Sequence, residues 1–278
     1  MTDFPAEVSA KQRFEFGINW IRFLNILNDD RIAVAKNSLS DMLEIDNLKG
    51  NSFLDIGSGS GLFSLSAKML GSKVHSFDID PQSVACTREL KRRYFPNDTE
   101  WTIEEGSVLD MKYLKSLGTF DIVYSWGVLH HTGSMWVALE NACTLVAPGS
   151  RLFIAIYNDQ GRASRYWCVV KKLYNRLPRG LKFLILWPSF IRLWGPTLVK
   201  DLVRANPFYT WKKYGGARGM APWRDVVDWV GGYPFEVAKP EEIFDFCRYR
   251  GFQLTRLKTC AGGHGCNEFV FFKSSSDK

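Results

Sequence analysis

A dense run of glycines between two aspartates carries the clearest chemistry in this sequence. Residues 55–61 read Asp-Ile-Gly-Ser-Gly-Ser-Gly, and a short apolar run leads into them. Glycine allows left-handed backbone conformations and lets a ligand approach the bare main chain. A strand that feeds such a turn and then a helix N-terminus is the nucleotide-binding corner of an open α/β sheet. Asp78 ends the next predicted strand. In nucleotide-binding sheets, an acid at this sequence spacing from the glycine turn accepts both hydroxyl hydrogens of a ribose.

The spacing of these glycines separates two kinds of nucleotide. The dinucleotide fingerprint G-x-G-x-x-G requires a third glycine where this chain has Leu62, because Gly61 comes one residue early. The carboxylate of Asp55 beside the turn suits a cationic amine better than a pyrophosphate. Two alternatives stay open: an ordinary tight turn without a ligand, and a helix-capping role for Asp78 next to the predicted N-cap Asp80.

This pattern resembles motif I of the class I S-adenosylmethionine (SAM) methyltransferases, an acid followed by x-G-x-G-x-G. Residues 120–131, Phe-Asp-Ile-Val-Tyr-Ser-Trp-Gly-Val-Leu-His-His, are similar to a segment of the small-molecule members, of the ubiquinone and O-antigen type, and the family's ordered motifs run through residues 52–158. The resemblance implies a Rossmann-like, seven-stranded α/β sheet with an antiparallel C-terminal strand pair, and SAM as cofactor. The residues it implies for cofactor binding are Asp55, Gly57, Ser58, Gly59, Asp78, Ile79, Ser107, Val108 and Ser125.

One of these positions departs from the family pattern. Many relatives have an acid where this chain has Ser107, so a contact from an acid to the adenine amine is not expected there. The backbone amides of Ser107 and Val108 are the remaining candidates for holding adenine.

The resemblance also implies an acceptor side at the carboxyl edge of the sheet. A methyl group leaves the sulfonium of SAM by in-line displacement, and a hydroxyl acceptor is helped by a general base, for which histidine is the usual choice. His130 and His131 follow the fourth strand, and His131 is the favoured base; a helix-start or packing role is the alternative. The residues predicted to contact substrate are Tyr157, Asn158, Tyr233, His264 and Asn267, of which His264 is a second candidate base. No metal site is predicted, because the group formed by Cys260, His264 and Cys266 lacks a fourth ligand.

The elements around these motifs divide the chain into four parts. The predicted helices and strands outside the core motifs are helices 11–27, 30–43 and 240–250 and strands 252–259 and 268–273. The predicted parts are an N-terminal helical cover (1–50), a SAM-binding core (51–158), a basic aromatic helical insert forming a substrate lid (159–235), and a C-terminal part that completes the core (236–278).

Charge concentrates in the insert. The chain carries +7 overall, and residues 160–224 contain 14 Lys or Arg against one acid, Asp201, giving 14 − 1 = +13 and leaving −6 elsewhere. Basic side chains among Trp and Tyr suit phosphates or an anionic membrane face. Three interpretations remain open: a lid over an anionic or lipid-linked substrate, an RNA-binding surface, and a solvated basic subdomain.

The sequence therefore predicts methyl transfer to a hydroxyl of a small acceptor that is anionic or linked to a sugar or lipid. The alternatives are an RNA methyltransferase and a SAM-binding protein without methyl transfer. Nucleic acid is disfavoured, because residues 125–128 lack the proline-containing turn usual in enzymes that methylate base amines. Six scattered cysteines and no apolar run at residue 1 favour a cytoplasmic protein, with peripheral contact at the inner membrane face through residues 160–224.

Overall fold

A seven-stranded sheet forms the centre of the protein in a computed structural model that describes residues 17–218 and 222–275. The strand order is β3-β2-β1-β4-β5-β7-β6. The first five strands are parallel, and β7 is antiparallel to both β5 and β6. The strands are β1 Ser52–Ile56, β2 Lys73–Asp78, β3 Trp101–Glu105, β4 Phe120–Trp126, β5 Val146–Tyr157, β6 Phe252–Lys258 and β7 Cys266–Lys273. The predicted fold class is confirmed.

Helices cover both faces of this sheet and form a layer beyond its carboxyl edge. They are α1 Gly17–Leu24, α2 Asp29–Leu43, α3 Leu62–Met69, α4 Pro81–Tyr94, α5 Met111–Leu117, α6 Met135–Thr144, α7 Arg162–Arg176, α8 Phe183–Val203, α9 Tyr209–Arg218, α10 Pro222–Gly231 and α11 Pro240–Arg248. A 3-10 helix at Leu129–His131 follows β4. None of the helices within the described residues combines the length and the apolar character needed to cross a bilayer.

Alternation along β1 separates the two core layers. Leu54 and Ile56 face one side of the sheet and join the cluster around α6 and α11, whereas Phe53 faces the other side with Tyr124 and Phe153. Successive side chains of a strand point to opposite faces, so a parallel sheet that is covered on both sides needs apolar residues at every position. Asp55 is the only fully buried polar residue of β1, and it lies near the end that meets the glycine turn.

The observed boundaries differ from the predicted ones where partners outside the segment decide them. Helix α2 begins at Asp29 because the Asn28 side chain caps it by accepting the Arg31 amide. Strand β7 begins at Cys266 rather than at residue 268, because Cys266 pairs with Tyr157 of β5. Residues 11–16 of the first predicted helix lie outside the described residues.

The insert between β5 and α11 has its own apolar core. Helices α7, α8 and α10 bury Trp167, Tyr174, Trp194 and Val230 against one another. Phe235, in the segment after α10, belongs to the same cluster, and Tyr157 at the end of β5 packs against it. The insert therefore packs directly on the carboxyl edge of the sheet.

Candidate active site

The glycine turn after β1 is attached by hydrogen bonds to the end of β2. The amides of Gly57 and Ser58 donate to the carbonyl of Phe77 at 2.8 and 3.1 Å. The amide of Gly59 donates to Oδ2 of Asp78 at 2.9 Å. These bonds bring the predicted cofactor residues of two strands within contact, although the strands are separated in sequence by α3.

Helix α1 lies over this turn. Gly59 has φ +54°, and a Cβ built on it would come within 3.0 Å of the indole nitrogen of Trp20. The Gly17 amide donates to Oδ2 of Asp80 at 2.9 Å, which attaches the start of α1 to the N-cap of α4. The turn therefore presents main chain without side chains between Trp20 and Asp78. Such a surface would allow the methionine part of SAM to approach the backbone closely.

Asp78 keeps acceptor capacity beyond its backbone bonds. Its Oδ1 accepts from the Asp80 amide at 2.9 Å, and its Oδ2 accepts from Gly59. An ionised carboxylate has about four lone-pair sites, so two such bonds leave room for a diol. Asp80 caps α4 by accepting the Gln82 amide at 2.9 Å, so the capping role belongs to Asp80, and the ribose contact of Asp78 stays a prediction.

Asp55 is the most deeply buried acid of the site, with 2% of its surface exposed. It accepts a hydrogen bond from the Ser64 hydroxyl, which also bonds to Ser76 at 2.7 Å. Burial is the main cause that raises the pKa of Asp55 to about 7, and the nearby Asp78 raises it further. Burial likewise raises the pKa of Asp78 to about 6. Because burial disfavours the charged forms of both acids, a bound cation would stabilise their ionised carboxylates.

The remaining predicted cofactor residues surround the same edge. The Gly106 amide donates to the Asp78 carbonyl at 3.0 Å and holds the start of the β3 loop beside the acid. In that loop, Ser107 Oγ accepts from the Leu109 amide at 3.2 Å, and Val108 is buried. Ile79 is 46% exposed next to Asp78. Ser125 is buried and donates to the Ile56 carbonyl at 3.2 Å, so its hydroxyl joins β4 to β1.

The paired histidines adopt opposite tautomers. His131 Nδ1 lies 2.6 Å from the Pro234 carbonyl, which can only accept, so Nδ1 carries the hydrogen and Nε2 is the acceptor of the neutral ring. His130 Nδ1 accepts from the Tyr157 amide at 3.3 Å, so its hydrogen is on Nε2. Burial is the main cause that lowers the pKa of His131 to about 3 and the pKa of His130 well below its usual value.

Aromatic rings connect the histidines to the insert. The ring centroids of His130 and Tyr157 are 3.9 Å apart, and Tyr157 is 5.4 Å from Trp229 of α10. Trp229 in turn lies 5.2 Å from His264, in the turn between β6 and β7. Two predicted acceptor-side residues, Tyr157 and His264, therefore contact Trp229, which the sequence did not single out, and Tyr157 connects them to His130.

Two predicted substrate residues bond to each other instead of to this cluster. Asn267 Nδ2 donates to Oδ1 of Asn158 at 3.0 Å, and its Oδ1 accepts from the Cys260 amide at 3.1 Å. The bond between Asn158 and Asn267 connects the end of β5 to the start of β7. Tyr233 packs against the core of the insert, next to Pro234. Substrate contact by these three residues stays a prediction.

Lys171 is a buried charged residue of this region that the sequence did not single out. It is fully buried on α7, and its ammonium donates to the Trp229 carbonyl. A signal was available, because Trp167, Lys171 and Tyr174 have the spacing that places side chains on one face of a helix, and the outer two are large apolar residues. A lysine between them is on the buried face.

We predict that SAM binds more tightly as the pH rises from about 5 to 7. Asp55 and Asp78 have pKa values of about 7 and 6, so both lose protons as the pH rises through this interval. Only their charged forms attract the cationic cofactor. Where binding releases one proton, the association constant rises by up to about tenfold per pH unit. Calorimetric titration of SAM from pH 5 to 8.5 measures this, and Asp55→Asn should flatten the curve. An affinity that does not change with pH would contradict the prediction.

Comparison with known proteins agrees with this geometry. A family model described as a methyltransferase domain matches residues 27–181. The chain is 30% identical over 141 residues to a ubiquinone biosynthesis O-methyltransferase of Colwellia psychrerythraea, covering 49% of this chain and 55% of that protein. It is 24% identical over 158 residues to a protein of the same name from Coxiella burnetii, covering 56% and 62%. The chain thus spans somewhat more than half the length of these curated relatives.

Solved structures with the same fold include two methyltransferases. The magnesium protoporphyrin IX methyltransferase of Synechocystis PCC 6803 with bound SAH matches 93% of this chain and 94% of its own, at 18% identity and a TM-score of 0.53. An O-methyltransferase family protein from Burkholderia thailandensis matches 90% of this chain and 59% of its own, at 12% identity and a TM-score of 0.55. At these identities the likeness concerns the fold.

Proposed function

Because this chain belongs to the methyltransferase domain family, whose cofactor is SAM, we propose that it transfers a methyl group to a hydroxyl of a small anionic or lipid-linked acceptor. The observation that carries the proposal is the position of His131. The 3-10 helix that follows β4 holds its ring beside Tyr157 of β5, and this edge of the sheet also carries the glycine turn and Asp78. In this proposal the proton acceptor and the cofactor share one edge of the sheet.

The residues of this chain would hold the two reactants and receive one proton. Asp78 would hold the ribose, and the turn at Gly59 would pass under the methionine part; when bound, SAM supplies an electrophilic methyl group. His131 Nε2 would accept the proton of the acceptor hydroxyl while the Pro234 carbonyl holds its ring. Burial keeps this ring neutral, and an anionic acceptor beside it would raise its pKa toward the range of an efficient base.

An oxygen acceptor is supported by the relatives. The curated relatives reported above are O-methyltransferases of ubiquinone biosynthesis by name. The match covers only part of their length, so the quinone acceptor itself is not carried over. What the likeness supports is a hydroxyl as the methylated group.

A lipid-linked acceptor is favoured by exposed apolar side chains of the insert. Tyr166 and Leu173 on α7 and Trp187 and Ile191 on α8 are 48%, 50%, 55% and 64% exposed. They lie in the segment whose net charge is +13, that is 14 basic residues minus one acid. Apolar side chains among basic ones suit the interface of an anionic membrane. We therefore include a peripheral membrane contact in the proposed function.

Labelled SAM with three sets of acceptors tests the proposed function. The sets are hydroxylated small anions, lipid-linked hydroxyl compounds in vesicles containing anionic lipid, and RNA. We expect transfer to the first or the second set. We also expect His131→Gln to lower kcat by about 100-fold or more, because a positioned base contributes on the order of 10²–10⁴. His75→Gln is the matched control, since His75 bonds to Tyr113 and Glu104 away from the histidine pair.

The outcomes separate the alternatives. Transfer to RNA alone would overturn the acceptor class. Full activity of His131→Gln would remove its role as base. Tight SAM binding without transfer to any of the three sets would support a SAM-binding protein that does not methylate.

A further inference from the structure

Lys171 is a buried cation with aromatic neighbours. Its ammonium lies 4.5 Å from the ring centroid of Trp229, 4.6 Å from that of Phe235 and 6.0 Å from that of Tyr157. Among the ion pairs of the described residues, none includes Lys171. Aromatic faces and one backbone carbonyl compensate part of the charge, but an ammonium withdrawn from water is fully compensated only by an anion.

Three further hydrogen-bond donors are gathered around this lysine. The indole nitrogens of Trp167 and Trp229 and the Nε2 of His130 are buried, and none of the described residues forms a hydrogen bond with them. The Trp167 and Trp229 rings are 5.7 Å apart, and Tyr157 links Trp229 to His130. Buried donors are normally paired, so several unpaired ones in a single cluster indicate a missing acceptor.

We propose that Lys171 and the N–H groups of Trp167, Trp229 and His130 form the binding site for an oxyanion of the methyl acceptor, a carboxylate or a phosphate. The site rests on the proposed function, because it assigns this group to the acceptor and places it on the insert side of His131. Charge-assisted hydrogen bonds to an oxyanion are short and strong, and an oxyanion could accept from all these donors.

The electrostatics of the cluster support this assignment. Burial lowers the pKa of Lys171 to about 7, although Cys168 and Asp228 act in the opposite direction. The positive charge of Lys171 also contributes to lowering the pKa values of His130, His131 and His264. A bound anion would relieve both effects, so the cluster is electrostatically suited to one.

An entry side is provided by the turn that carries His264. Its imidazole contacts Trp167 at 6.0 Å and Trp229 at 5.2 Å, and the residue is exposed on its outer side. The turn around it contains Gly262, Gly263 and Gly265. Glycine backbone has more accessible conformations than any other, so this wall of the cluster can change shape at low cost.

Indole resonances in a proton–nitrogen correlation spectrum test the site without requiring methyl transfer. The intact protein is titrated with inorganic phosphate and, separately, with benzoate, at constant ionic strength. Trp167→Phe and Trp229→Phe assign the two signals. We expect both signals to shift in a saturable way with at least one anion, and Lys171→Met to weaken that binding at least tenfold while Lys171→Arg restores part of it.

Asn175→Ala is the matched control. Asn175 also connects α7 to α10, by donating to the carbonyls of Lys171 and Gly231 at 2.9 and 2.7 Å, but it carries no charge. Its replacement should leave anion binding within about threefold of the wild type. Indole signals that do not move, or that move equally in Lys171→Met, would overturn the site.

Titration of SAM with the same variants separates this result from the proposed function. Lys171→Met should bind SAM as the wild type does. A wild-type protein that does not bind SAM would instead refute the proposed function, whether or not it binds the anions. Binding of phosphate alone or of benzoate alone would identify the acceptor group as a phosphate or a carboxylate.

Discussion

Replacing Asp78 with alanine is expected to weaken binding of SAM, and of its demethylated product SAH, by about 100-fold. Both ligands carry the ribose whose hydroxyls the carboxylate would accept. Hydrogen bonds to a charged group contribute about 1.5–3 kcal/mol each, so losing two corresponds to a factor of about 10² or more. The variant also leaves the amides of Gly59 and Asp80 without their side-chain acceptor, which loosens the turn itself.

Calorimetric titration of both ligands measures this effect, and Asp110→Ala is its control. Asp110 follows the next strand and caps α5 by accepting the amides of Lys112 and Tyr113. Its loss should cost about 1 kcal/mol of stability and leave the affinity for SAM unchanged. An Asp78→Ala protein that binds SAM like the wild type would refute the ribose assignment.

Replacing Gly61 with alanine is expected to lower the free energy of unfolding by about 2–4 kcal/mol. The residue has φ +79°, and a Cβ there would lie 2.8 Å from the Cα of Thr87, on the backbone of α4. The left-handed conformation costs a non-glycine residue about 1–2 kcal/mol, and overpacking against a helix backbone costs about 1–3 kcal/mol. The close approach of α3 and α4 beneath the glycine turn therefore depends on this one residue.

Gly251→Ala isolates the conformational part of that cost. Gly251 has φ +80°, close to that of Gly61, and its Cβ would meet nothing within 4 Å. Urea unfolding of the two variants should show about 1–2 kcal/mol lost for Gly251→Ala and clearly more for Gly61→Ala. Equal losses would mean that α4 moves away without cost.

The cofactor side of the fold could be predicted because its signals are local. Asp55, the glycines and Asp78 lie within two successive strand–turn segments, and the turn chemistry fixes how each strand ends. The fold class and the family prediction are confirmed. The residue roles stay predictions, although hydrogen bonds join Gly59 to Asp78 as the pattern implies.

The contacts among the acceptor-side residues could not be predicted, because they join residues that are distant in sequence. Lys171 meets the carbonyl of Trp229 from 58 residues away, and His131 meets that of Pro234 from 103 residues away. No period or spacing encodes such pairs; they depend on how the insert folds back on the sheet. The pairing of Asn158 with Asn267 is of the same kind, and it shows why a polar residue at a strand end need not face a ligand.

The antiparallel placement of β7 between β5 and β6 also has a consequence for folding during synthesis. Asn158 and Asn267, at the ends of β5 and β7, are 109 residues apart. At about 5–20 residues per second, a ribosome needs on the order of 5–20 s to make that stretch. Throughout this interval β5 is a sheet edge with unpaired backbone groups, a template for pairing with other chains. Because the insert packs at the carboxyl end of β5 and not along its side, this edge is paired only once β7 itself has been made.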